Sequence, residues 1–131
     1  MELTSWIKNY LTSRDVMEQM IVSIEDTGKD FIVHKKTGDV LFLVRPELTE
    51  VAELKTLSGK AGLIILNSRK NLDFVIANWQ TFAVLKELCI YFVNPVVNDK
   101  WMLYPHTHNQ ITEKTALKQG LLTLFSMVAA V

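Results

Sequence analysis

The chain has 131 residues, 49% of them apolar, with 14 Lys and Arg against 14 Asp and Glu. That is too apolar for a disordered chain and sufficient for one domain, residues 1–131, with a sizeable core. The neutral balance excludes the strongly basic footprint of non-specific nucleic-acid coating, so any basic face is local.

Leu3, Trp6, Ile7, Tyr10 and Leu11 recur at helical spacing, so the chain is expected to open with an amphipathic helix. Ser13 or Asp15 would cap a further turn through Met17 and Met20, and Met20 to Ile24 reads as a β-branched strand. Two turn signals follow, Asp26-Thr27-Gly28-Lys29 and Lys36-Thr37-Gly38-Asp39, each carrying the glycine that a tight hairpin needs. They predict a three-stranded antiparallel meander whose last strand, Val40 to Val44, is apolar throughout and covered on both faces.

Pro46 ends that strand, and Thr49 is expected to cap a helix carrying Val51, Ala52, Leu54 and Leu57, closed by Gly59. Ala61 to Leu66 is a buried strand. Asn71 caps a second helix whose face runs through Leu72, Val75, Ile76, Trp79 and Ala83, and Ile90 to Val93 is the next strand. After a turn at Asn98-Asp99, Trp101 to Tyr104 reads as a short edge strand. A last helix from Thr112 or Glu113 aligns Leu117, Leu121, Leu124, Phe125 and Val128. The expected fold is α/β: a mixed sheet with an antiparallel meander followed by two β-α-β crossovers, and helices on both faces.

The single cysteine, Cys89, lies in the apolar run Leu88 to Val93 and reads as a small buried hydrophobe. Met1 to Trp6 lacks a basic segment followed by an apolar one, so no secretory signal is read and a cytoplasmic location is expected. The apolar tail Gly120 to Val131 is shorter than the roughly 20 residues that cross a bilayer, so no membrane partner is expected. Its composition suggests instead a helix end packed in the monomer or at a homodimer seam, for which the edge Trp101 to Tyr104 is the other candidate.

The richest stretch is Lys29 to Arg45, KDFIVHKKTGDVLFLVR, in which Asp30 opens one strand of the hairpin and Leu43-Val44-Arg45 closes the other. With the order of elements, this resembles the restriction-endonuclease-like, PD-(D/E)XK superfamily, which includes archaeal Holliday junction resolvases. The resemblance covers roughly Leu3 to Pro95. It implies that Asp30 matches the first family acid, while the Glu-x-Lys or Asp-x-Lys triplet falls on Leu43-Val44-Arg45, which loses the second carboxylate and keeps a positive charge.

In active members two carboxylates hold Mg²⁺ through hard oxygen ligands, and the metal with the lysine activates water. One aspartate is a poor site, and an arginine stays protonated, so it clamps phosphate without accepting a proton. The resemblance therefore implies a degenerate site, with no cofactor, in a module that binds nucleic acid or assembles with protein. Two alternatives stand beside it. One is a residual Mg²⁺-dependent nuclease that pairs Asp30 with a migrated Glu47 or Glu50; the other is a protein-interaction domain unrelated to nucleases. The plainer reading of Glu47, Glu50, Glu53 and Lys55 is a solvated helix face, with the acids near the helix N-terminus.

Basic residues gather at Lys35-Lys36 and at Arg69-Lys70. On one rim, with Arg45, they would contact a few phosphates; otherwise they are solvated loop tips. His106-Thr107-His108 reads as a loop with surface histidines rather than a metal site, His34 as solvent-facing, and Trp6 and Trp79 as core rather than base-stacking platforms.

Overall fold

A computed structural model describes residues 2–131. Six strands form one mixed sheet in sequential order: β1 (Ile21–Asp26), β2 (Phe31–Lys35), β3 (Gly38–Val44), β4 (Ala61–Leu66), β5 (Leu88–Asn94) and β6 (Asp99–Leu103). β1, β2 and β3 are antiparallel, β3, β4 and β5 run parallel, and β6 returns antiparallel to β5. The meander thus forms as expected. Gly28 (φ +92°) and Gly38 (φ +127°) adopt the backbone conformation that other residues resist, where the two hairpins reverse.

Alternation along the strands divides the core into two layers. Helix α1 (Leu3–Arg14) lays Leu3, Trp6, Ile7 and Leu11 over Phe31, Val33, Phe42, Ile64 and Tyr91. On the opposite face, Leu63, Ile65, Ile90 and Phe92 meet Leu72 and Val75 of α2 (Arg69–Ala77), Trp79 and Phe82 of α3 (Trp79–Ala83), and Leu121 of α5 (Leu117–Ser126). Helix α4 (Pro105–Ile111) packs beside α3. All three indole N–H groups find asparagine oxygens at 2.8 Å: Trp6 on Asn98, Trp79 on Asn109 and Trp101 on Asn67. No helix among the described residues is long and apolar enough to cross a membrane.

Several local expectations are overturned. No helix follows β3: the segment capped in expectation by Thr49 is a loop with one 3₁₀ turn, Leu54–Thr56. Leu48 and Leu54 are both buried, and a spacing of six residues falls roughly 240° round a helix axis, so a helix would expose one of them. Asp15 opens one further turn, the Gln19 amide donating to its carbonyl at 2.7 Å, but does not cap it through its side chain. Its carboxylate instead accepts the Met20 and Ile21 amides at 2.8 and 2.9 Å, closing a loop in which Gln19 takes φ +51°. The segment Val40–Val44 is covered on both faces as expected, Val40, Phe42 and Val44 facing one core layer and Leu41 and Leu43 the other, and β3 extends it at its start by the exposed Gly38 and Asp39.

The second predicted helix begins earlier and breaks. Ser68 is its cap, accepting the Asn71 amide, and Asn71 is fully buried. Asn78 interrupts the helix, its side-chain amide donating to the Phe74 carbonyl at 2.9 Å. His106 and His108 lie on α4, with Pro105 at its first turn, rather than on a loop. The last helix starts at Leu117 after a 3₁₀ turn at Lys114–Ala116, not at Thr112 or Glu113.

Candidate functional site

The parallel strands β3, β4 and β5 end at one side of the sheet, where β2 begins. Extending the β2–β3 register by one pair sets Asp30 opposite Leu43, so Asp30, Leu43 and Arg45 share the face carrying α2. Arg45 forks onto Asp30, with Nη1 to Oδ1 at 2.5 Å and Nη2 to Oδ2 at 2.9 Å, while its Nε and Nη2 reach Oε1 and Oε2 of Glu53 at 2.7 and 2.8 Å. The Val44 amide donates to Asp30 Oδ1 at 3.0 Å. Asp30 and Arg45 keep only 14% and 13% of their side-chain surface exposed, against 36% for Glu53, so the inner pair is the more strongly coupled.

The electrostatics follow from this geometry. Burial is the largest influence on Asp30 and resists its ionisation, but the Arg45 and Val44 hydrogen bonds with the charges of Arg45 and Lys29 outweigh it and hold the carboxyl below its usual range. The hydrogen bond from Arg45 does the same for Glu53, and the two carboxylates raise Arg45 above its already high value. The cluster is a guanidinium clasped by two carboxylates, which ties the hairpin to the loop after β3.

The residues do not fit a divalent cation. Leu43, which shares this face with Asp30 and Arg45, is buried in the apolar cluster with Leu48 and Leu54 and supplies no oxygen. Arg45 stands between the two acids that would have to converge. Among the described residues no group of three or more His, Cys, Asp or Glu is arranged to hold a metal ion.

Glu47 and Glu50 lie beside the cluster rather than in it. With Lys29, Arg45, Thr49 and Glu53 they line a shallow hollow of about 130 Å³, and Glu47 approaches Lys70 at 3.7 Å. Both are exposed, but on a loop, not on the helix face expected for them.

The two basic groups do not share a rim. Arg69 and Lys70 stand at the start of α2, near the Arg45 end, and Arg69 is paired with Asp73 at 2.9 Å. Lys35 and Lys36 lie at the β2–β3 turn, the opposite end of the sheet. Lys35 there joins Arg14, Lys60 and Lys86 around a separate cavity, a grouping that sequence spacing does not reveal. The available clue is parallel pairing, since Ala61 opposite Leu88 brings the residues preceding β4 and β5 together.

His106 turns its Nδ1 to the Ala83 carbonyl at 2.9 Å and His108 packs edge-on to Trp79. They have separate surroundings and share no site. Cys89 is buried, which pushes its thiol up to about 11 and leaves it unreactive. Trp6 and Trp79 are buried, 5% and 6% exposed, and offer no stacking platform.

No protein-family model, curated protein or solved structure matches this chain.

Proposed function

We propose that the chain is a non-catalytic domain of restriction-endonuclease-like architecture that acts as a binding or assembly module. The observation that carries this reading is the Arg45 guanidinium lying between Asp30 and Glu53. By the resemblance, an active relative holds a metal ion and its lysine in this place. A fixed organic cation satisfies the acids, and a buried leucine replaces the ligand that would complete the site.

Nucleic-acid contact in such a module falls to Lys35 and Lys36, because Arg45, Arg69 and Lys70 all face carboxylates. Few phosphates are then engaged, and binding is weak and salt-sensitive. Assembly with a second copy would use the open edge of β6, since Leu121 and Val128 of the C-terminal segment already cover the sheet.

The test is incubation of single-stranded, duplex and branched DNA and RNA with the protein in Mg²⁺ and in Mn²⁺. All are expected to survive. Cleavage that disappears in Asp30→Ala would overturn the reading.

A further inference from the structure

At the end of the sheet opposite Asp30 and Arg45, a cavity of about 430 Å³ opens beneath the end of α1 and the loop after it, against β2 to β5. That volume lies in the range of natural small-molecule sites, about 300–1,000 Å³. Its floor depends on Gly62. A Cβ there would stand 2.6 Å from the Phe42 ring, so the bare backbone lets the ring lie across β4, stacked on Phe31 at 5.1 Å. Leu11, Val33 and Val40 continue this apolar wall.

The other side of the cavity is built from donors. Arg14, Cys89, Tyr91 and Tyr104 line it together, and the charge of Arg14 acts on the thiol and on both phenols. Arg14 donates to the Tyr10 hydroxyl at 3.2 Å and has no carboxylate partner among the described residues. The neighbouring acid, Asp15, is turned to the backbone amides of Met20 and Ile21. Lys60 and Lys86 stand at the mouth without ion-pair partners among the described residues, alongside Glu18 and Glu87, which offset part of their charge and disfavour a dianion.

We propose that this cavity binds a small apolar monocarboxylate, its hydrocarbon body against Phe42 and Val40 and its carboxylate held by Arg14 and the Tyr104 hydroxyl. A planar guanidinium and a phenolic donor in one cavity lining match a carboxylate, and the aromatic floor takes a chain that water rejects. The site shares no residue with the Asp30 cluster and does not depend on the nuclease-like reading.

The experiment is titration of the full chain with decanoate, followed by amide chemical shifts and by calorimetry, with decanol as the uncharged control. Decanoate is expected to bind one molecule per chain and to shift the amides of Phe42, Gly62, Cys89 and Tyr104. Arg14→Gln, an exposed change on the last turn of α1, is expected to weaken decanoate about tenfold or more and leave decanol unchanged. Tyr104→Phe, also at an exposed residue, is expected to weaken it by a smaller factor. Absence of saturable binding, shifts confined to another surface, or equal affinity for decanol overturns the proposal. So does the same set of shifts produced by single-stranded DNA while decanoate produces none.

Discussion

Arg45 and Asp30 meet through two parallel contacts at 2.5 and 2.9 Å, and a second carboxylate, Glu53, closes on the other side of the same guanidinium. A charge pair this secluded is costly to halve, because the partner left behind keeps its desolvation and loses its counter-charge. Arg45→Met is therefore expected to lower stability by about 2–4 kcal/mol at neutral pH, short of the fully buried case because Glu53 is partly exposed. Arg45→Lys is expected to recover less than half of that loss, since an ammonium cannot fork onto two carboxylates. Urea denaturation at pH 7 measures both. The same cluster fixes an acid dependence. Asp30 and Glu53 titrate lower folded than unfolded, so their stabilisation is present above the ordinary carboxylate range, near 4, and is lost as pH falls through the folded values. In Arg45→Met that part of the acid dependence is expected to vanish, and its melting curve approaches the parent's at low pH.

On the exposed side of the meander, His34 bridges two strands, with Nε2 to Glu25 and Nδ1 to Asp39, each at 2.8 Å. The Glu25 hydrogen bond first and the Asp39 bond second raise its pKa. A group raised on folding stabilises below its unfolded value, near 6.5, and that stabilisation fades as pH rises through the folded one. The denaturation midpoint is expected to fall over that interval in the parent, and His34→Gln is expected to remove the step. A proton titration of the imidazole by NMR checks the assignment. A midpoint that rises with pH in the parent alone would contradict it.

Buried amides carry the joints between elements. Asn71 is fully buried, accepts the Leu48 amide at 2.9 Å and donates to the Pro46 and Leu66 carbonyls at 2.8 Å. It thereby fixes the loop after β3 to the end of β4. Asn71→Leu keeps the volume and strands all three backbone groups, so a loss of about 3 kcal/mol or more is expected, at roughly 1 kcal/mol or more for each. Hydrogen exchange is expected to speed first at the Leu48 amide, which loses its acceptor.

The same residue marks where sequence reading stops. The meander was legible because Gly28 and Gly38 punctuate β-branched runs, and α1 because Leu3, Trp6, Ile7 and Leu11 repeat every three or four residues. Asn71 and Ser68 are both capping residues by type, and only the tertiary position of Leu48 tells which is which. Helix α4 escaped detection because Pro105 is its single buried residue, so no apolar stripe distinguishes it from a loop. Asp30 and Arg45 were legible as the opening and closing residues of one hairpin, but not as an ion pair. Glu53 was not, since its place depends on a loop whose path is set by Leu48 and Leu54 reaching the core. The cavity residues come from α1, the β2–β3 region and the starts of β4 and β5, segments that only the assembled sheet brings together.

Gly62 sits in the middle of three parallel strands, paired with Phe42 on one side and Cys89 on the other. A glycine in a central strand is ordinarily a weakness, because it lacks a side chain to pack and costs backbone entropy. Here the space is filled by Phe42, whose ring carbons lie 2.6 Å from where a methyl would be. The ring is buried between Phe31 and Tyr91 and is not the loose end of a flexible chain, so it has to move as a unit. Gly62→Ala is expected to destabilise by about 1–3 kcal/mol despite the better strand propensity of alanine, the overpacking term exceeding the propensity gain. Gly62→Ala combined with Phe42→Leu is expected to be less destabilised than the sum of the two single changes, because the smaller side chain relieves the clash. A double-mutant cycle by urea denaturation measures this coupling, and strict additivity would show that the Phe42 ring does not impose the glycine.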